Sequence, residues 1–276
     1  MRGLTFGLGV FASIAALPAT ACTVKDMAAC ETSQGTYYVR VPGGVETPPA
    51  VMFLHGYGAN AMAMINNARV TDALLAQGFA VIAPNGRGRD GAEGGGWSFM
   101  PNRPSRRNEA AFLTEVRGDA VARFALDPDR IYLGGYSIGG SMASYIACAD
   151  PDAFTAYLPV AGSFWRPQPE NCAGPVRLLH THGWTDGTVP LEGRPLRNGQ
   201  IFQGDVFHAM STWREANGCD GLRATAFDTK GPFWNRAWTE CSEESALELA
   251  LHPGGHLVPE GWAEMAVDWL NALPLK

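Results

Sequence analysis

A chain of 276 residues with a formal net charge of −6 and no basic run lacks the electrostatic footprint of a nucleic-acid or anionic-lipid binder. Its 33 glycines and 19 prolines are spread along the length, which implies many tight loops rather than a disordered block. Beyond residue 21 no segment approaches the ~20 uninterrupted apolar residues of a membrane span.

The first 21 residues read as a secretory signal peptide. Arg2 is the only charge before Lys25, an apolar stretch runs from Leu4 to Leu17, and Ala19-Thr20-Ala21 supplies small residues for cleavage. The remainder, 22–276, suits one catalytic domain in a secreted or periplasmic protein. An exported chain with Cys22, Cys30, Cys148, Cys172, Cys219 and Cys241 is expected to form three disulfides. Sequence proximity favours Cys22–Cys30, Cys148–Cys172 and Cys219–Cys241, although other pairings stay open. A rival reading makes Cys22 a lipid-modified N-terminus. Against it, Ala19 stands where a large aliphatic residue is usual, and lipidation would strand one thiol.

Residues 35–42 alternate as an early strand, and the all-apolar run Ala50 to Leu54 reads as a strand buried on both faces. A helix over 60–77, a strand over 80–84 and a Gly-rich loop over 86–107 follow. Helical spacing over 108–125 ends at Asp127-Pro128, since the residue before proline is pushed out of the α region. The strand 131–135, the helix 138–149, strands over 157–161 and 176–180, a Pro- and Gly-rich insertion over 184–204, and a helix over 205–217 come next. A last strand over 246–251 and an amphipathic helix over 259–273 close the chain. Such alternation predicts an α/β protein with a mostly parallel central sheet and helices on both faces. Ligands then sit beyond the carboxyl ends of the strands.

Gly135-Tyr136-Ser137-Ile138-Gly139 fits G-x-S-x-G where a strand turns sharply into a helix, and it makes Ser137 the candidate nucleophile. A serine hydroxyl needs a base and an acid that orients the base. Asp186 and His256 follow the strands at 176–180 and 246–251, so all three residues sit on one edge in the order Ser, acid, His. His252, at a strand end, is read as structural; Asp220 and Asp228 do not directly follow a buried parallel strand. The loop His55-Gly56-Tyr57-Gly58 is placed to give a second oxyanion donor, so the backbone N–H of Tyr57, or of a neighbouring loop residue, is expected to pair with that of Ile138 as the oxyanion hole. Trp97 and Trp184 lie on site loops and are candidate stacking walls for substrate. His180 and His182 alternate on one strand face with no third ligand evident, so no metal is expected, and no cofactor is required.

Three stretches resemble the secreted polyhydroxybutyrate depolymerase and feruloyl esterase group of α/β hydrolases. They are Asp127-Pro128-Asp129-Arg130-Ile131-Tyr132, Ser137-Ile138-Gly139-Gly140-Ser141-Met142-Ala143 and Leu158-Pro159-Val160-Ala161-Gly162. Leu54-His55-Gly56-Tyr57-Gly58, His182-Gly183 with Asp186, and Gly254-Gly255-His256 look like the same group. The resemblance, from about Thr36 to the C-terminus, implies the α/β-hydrolase fold, a Ser137–His256–Asp186 triad and carboxylic-ester substrates. Disulfides are common in that group. Ile138 stands where a small or polar residue is usual, and Leu257-Val258 where an aromatic is frequent; both differences would alter the pocket. With no second, polymer-adhering domain in the sequence, efficient attack on crystalline polyester is not expected.

The expected function is therefore a monomeric secreted ester hydrolase acting on a polyester oligomer or a plant cell-wall ester. The rivals are a serine peptidase of the same fold, which would want a large gating domain this chain lacks, and a non-catalytic binding protein on a hydrolase scaffold.

Overall fold

The computed structural model describes Cys22, residues 28–100 and residues 102–274. The signal-peptide reading of residues 1–21 lies outside the described residues. In chain order the strands and helices are β1 (Cys30–Glu31), β2 (Thr36–Arg40), β3 (Ala50–Leu54), α1 (Ala61–Ile65), α2 (Ala73–Ala76), β4 (Ala80–Pro84), α3 (Glu109–Phe124), β5 (Ile131–Tyr136), α4 (Ile138–Ala149), β6 (Tyr157–Val160) and β7 (Arg177–Gly183). There follow β8 (Pro195–Leu196), β9 (Ile201–Phe202), α5 (Val206–Ala216), β10 (Ala226–Lys230), β11 (Phe233–Trp238), β12 (Ala246–His252) and α6 (Trp262–Ala272).

One ten-stranded sheet runs β1-β2-β4-β3-β5-β6-β7-β12-β11-β10. The block from β4 through β12 is parallel, and antiparallel strands flank it at both ends. The continuous apolar run of β3 has a direct cause. Ala50, Met52 and Leu54 enter the core under α3, α4 and α5, while Val51 and Phe53 enter the core under α6. All five residues are fully buried, as a central strand covered on both faces requires.

Three local expectations differ from the structure. The helix expected over 60–77 is broken into α1, a π-helical turn Ala68–Asp72 and α2. Asn66 caps the first piece, and the Asn67 side chain accepts from the Val70 N–H to open the next, so two adjacent asparagines outbid the apolar spacing. The insertion over 184–204 contains the short β8–β9 pair. The hairpin β10–β11 was not expected at all: β10 is exposed along its whole length, and only Phe233 and Trp238 of β11 are buried. An edge hairpin with one thinly apolar strand carries little alternation to read.

The cysteines pair as sequence proximity favoured: Cys22–Cys30, Cys148–Cys172 and Cys219–Cys241. Cys148–Cys172 closes a loop with a sequence separation of 24 residues and ties the end of α4 to the segment before β7. Replacing both by serine is expected to cost about 3–4 kcal/mol through loop-closure entropy. A drop in Tm of roughly 10 °C in a thermal scan is the expected reading.

Candidate active site

At the carboxyl end of β5 the backbone turns sharply into α4. Ser137 holds φ 58° and ψ −121°, a strained conformation for a residue with a side chain. The glycines around it are required by close approach. A Cβ on Gly135 would lie 2.4 Å from the Gly139 carbonyl oxygen, and one on Gly139 would lie 2.3 Å from that of Leu54. The elbow is pinned by the Ser137 N–H donating to the Val160 carbonyl at 2.9 Å and the Ser141 N–H donating to the Ser137 carbonyl at 2.9 Å.

The structure brings Ser137, His256 and Asp186 together. His256 Nε2 lies 2.9 Å from Ser137 Oγ, and His256 Nδ1 lies 2.7 Å from Asp186 Oδ2. The other carboxylate oxygen, Oδ1, accepts the Thr188 and Val189 N–H groups at 2.8 Å each. Burial by itself would raise the Asp186 pKa, but the His256 and Val189 hydrogen bonds and the nearby imidazoles outweigh it and hold the carboxyl below its usual range. The His256 loop is fixed from β5: the Tyr136 hydroxyl donates to the His256 carbonyl at 2.9 Å, and the two rings lie 4.9 Å apart. His252 is buried elsewhere, edge-on to Phe233, with Nδ1 accepting the Gly254 N–H. Desolvation lowers its pKa. Asp228 sits on the exposed edge strand β10, and Asp220 lies in the loop after α5.

The loop after β3 borders the serine, since a Cβ on Gly56 would stand 3.6 Å from Ser137 Cβ. Tyr57 comes next, its side chain 75% exposed. Ile138 opens α4, so its N–H is one of the first four in the helix, which have no intrahelical acceptor. The Ile138 side chain packs on the large core, and a Cβ on Gly96 would lie 3.8 Å from its Cδ1. His55, fully inside, clamps this loop: its Nδ1–H donates to the Gly56 carbonyl at 2.8 Å, and its Nε2 accepts the Gly86 N–H at 3.0 Å. Burial, the main cause, and the Arg107 charge lower its pKa, which suits a neutral ring with one donor and one acceptor.

Trp97 departs from its expected place in a stacking wall. It is 2% exposed, with its ring 5.0 Å from His55 and its indole N–H donating to the His55 carbonyl at 3.0 Å. A buried indole must find an acceptor, and the one it finds supports the loop beside Ser137. Trp97→Phe is expected to orphan that carbonyl and cost about 1–3 kcal/mol of stability. KM for aromatic and aliphatic esters should change alike; a selective rise for aromatic esters would restore the stacking role. Trp184, by contrast, two residues before Asp186 in the chain, is 57% exposed and meets Trp234 of β11 edge-on at 6.3 Å.

Sequence reasoning missed the fastening of the Gly-rich loop. Arg107 Nη2 lies 2.6 Å from Glu109 Oε2, with side chains 4% and 1% exposed, and also donates to the Asn85 carbonyl at 3.0 Å. Glu109 Oε1 accepts the Ser98 N–H at 3.1 Å. In the sequence, Arg107 and Glu109 straddle the cap of α3 and read as ordinary helix-start charges. Among the described residues no group of three or more histidines, cysteines or acids is placed to hold a metal ion.

Residues 66–165, which include the Ser137 elbow, match the model of the prolyl oligopeptidase family. NocK of Nocardia uniformis subsp. tsuyamanensis, a protein bearing an esterase designation, is 31% identical over 243 residues, covering 80% of this chain and 69% of NocK. Feruloyl esterase B of Piromyces equi is 25% identical over 201 residues, covering 66% of this chain but 35% of that protein. Poly(3-hydroxyalkanoate) depolymerase C of Paucimonas lemoignei is 27% identical over 49% of this chain and 32% of its own length. The chain thus spans about a third of the last two. Among solved structures, acetyl xylan esterase from Aspergillus awamori superposes with a TM-score of 0.63 at 14% identity, over 86% of this chain and 93% of that one. The Bacillus cereus carboxylesterase does so with a TM-score of 0.56 at 13% identity, over 87% and 95%. These two likenesses speak for the fold, the α/β-hydrolase fold. The likeness to NocK reaches across more than two thirds of both chains, and on it the chain belongs to the serine esterases of the α/β-hydrolase family.

Proposed function

We propose that this chain is an exported carboxylic-ester hydrolase in which Ser137 is the nucleophile, His256 its base and Asp186 the acid that orients the base. The observation that carries the reading is the unbroken file from the Ser137 hydroxyl through both nitrogens of His256 to a buried carboxylate, at 2.9 and 2.7 Å. Asp186 Oδ2 accepts the Nδ1–H of His256, which leaves Nε2 free to take the serine proton. The serine oxygen attacks the ester carbonyl, and the negative charge gathers on the carbonyl oxygen. The Ile138 and Tyr57 N–H groups receive it. As the tetrahedral adduct collapses, His256 returns its proton to the leaving alkoxide and an acyl-serine forms. Water, deprotonated by the same imidazole, then attacks the acyl carbon, releases the acid and restores the serine.

Trp184 supports a substrate with an aromatic or sugar-linked part, because it is exposed and lies two residues before Asp186 in the loop after β7. Feruloyl, acetyl and hydroxyacyl esters are the substrate classes that the names of the relatives suggest. Three disulfides support an oxidising compartment. The test is turnover of a short-chain nitrophenyl ester by purified protein, with labelling of Ser137 by an active-site fluorophosphonate. Absence of both would leave a binding protein on a hydrolase scaffold.

The match of residues 66–165 to the prolyl oligopeptidase family favours one second reading, a serine peptidase with the same machinery. Cleavage of peptide but not ester substrates would promote it.

A further inference from the structure

Two histidines lie beneath the acid of the triad and take no part in the chemistry above. β7 carries His180-Thr181-His182, so both imidazoles leave the strand on one face. The rings are within 3° of parallel with centroids 5.3 Å apart, and the residues are 1% and 0% exposed. His180 Nε2 stands 3.1 Å from His182 Nδ1. His182 Nε2 stands 2.8 Å from the Val189 carbonyl oxygen and 3.5 Å from Asp186 Oδ2.

The hydrogens on these atoms follow from the partners. A carbonyl only accepts, so His182 Nε2 carries hydrogen. Burial lowers the pKa of both rings and keeps them neutral. His182 Nδ1 is then a bare lone pair, and the hydrogen between the rings belongs to His180 Nε2. One backbone carbonyl thereby sets the tautomer of two side chains.

The same contact governs the acid. Val189 is held at both of its backbone polar groups, its carbonyl by His182 and its N–H by Asp186 Oδ1. The turn from Asp186 to Val189 decides where Oδ2 points; the Asp186 N–H holds its start to the Gly183 carbonyl, and the His182 imidazole holds its far end to β7. The side chains of His182 and Asp186 are both 0% exposed, so solvent has no access to replace that donor.

We propose that His182, its tautomer set with His180, is a positioning residue that holds the turn 186–189 so that Asp186 Oδ2 meets His256 Nδ1. The proposal rests on the triad reading and extends the file of polar groups two side chains into the sheet.

The test compares His182→Gln with His182→Met. The two side chains match in length and shape, but only glutamine offers an N–H to the Val189 carbonyl and an oxygen to His180. The readouts are kcat and KM on a short-chain nitrophenyl ester, and the far-downfield proton resonance of His256 Nδ1–H, which does not depend on turnover. Methionine is expected to lower kcat about 10–100-fold at unchanged KM, because a small misplacement of an aligned group costs on that order, and to lose the downfield signal. Glutamine should recover most of both. A methionine variant with wild-type kcat and signal would overturn the proposal, and so would equal losses in both variants at matched Tm. Should neither variant fold, ring nitrogen spectra of the unaltered protein decide. His182 must be neutral with its hydrogen on Nε2, and a hydrogen on Nδ1 instead overturns the proposal. Failure of the triad reading is separately visible: unaltered protein that neither turns over ester nor labels at Ser137 removes that reading and this one with it.

Discussion

Ser137→Ala is expected to lower kcat on a nitrophenyl ester by about four orders of magnitude or more. The substitution removes one oxygen atom and little else. The elbow conformation is imposed by the backbone bonds to Val160 and Ser141 and by the glycines on either side, none of which uses the hydroxyl. The atom that loses its partner, His256 Nε2, belongs to a side chain that is 16% exposed, so water can reach it. Stability should therefore change by no more than about 0.5 kcal/mol, as for other substitutions without a cavity or an orphaned buried group. KM should stay near its original value, because the hydroxyl acts in bond formation and the other groups around Ser137 remain. The result expected is a folded protein of unchanged Tm that binds ester, turns it over hardly at all and takes no fluorophosphonate label. A variant that keeps more than about one per cent of turnover, far above the 10⁻⁴ set by losing a nucleophile, would place the nucleophile elsewhere.

The fold was readable because its central strands are buried on both faces. Ala50 to Leu54 and Ala80 to Pro84 present no polar position, and such short apolar runs between helical patterns have few other meanings. That Ser137, Asp186 and His256 would meet was readable for a related reason: each follows a parallel strand on the same edge, so chain order and strand ends place them without side-chain detail. Legibility stopped where partners are distant in sequence. Trp97 looked like a wall because its loop is near the site, yet its placement depends on a carbonyl 42 residues away at His55. The His180–His182 pair lacked the third ligand of a metal site and suggested no other role, because nothing in the alternation of two histidines shows that the Val189 carbonyl and Asp186 lie against His182. The β10–β11 hairpin, which supplies Trp234, was invisible because an exposed edge strand needs neither apolar alternation nor burial.

Asp186→Asn should be nearly as damaging as loss of the nucleophile, and for a more specific reason. Asp186 Oδ1 accepts two backbone N–H groups at 2.8 Å, from Thr188 and Val189. An asparagine can satisfy that pair only with its oxygen, so its NH₂ must take the place of Oδ2, facing His256 Nδ1 across 2.7 Å. The shape of the site is kept, but a donor now stands where an acceptor did. His256 can meet it only by giving up the hydrogen on Nδ1 and carrying one on Nε2. That hydrogen points at Ser137 Oγ, 2.9 Å away, and an imidazole already protonated there cannot accept the serine proton. The expected loss in kcat is about 10⁴, the scale found when a triad tautomer is inverted without loss of geometry. KM and Tm should move little, and ring nitrogen spectra should show His256 exchanging an Nδ1–H for an Nε2–H form. A kcat within tenfold of the original would mean that the buried carboxylate does not choose the tautomer of His256. The acid would then have to be sought elsewhere on the same edge of the sheet.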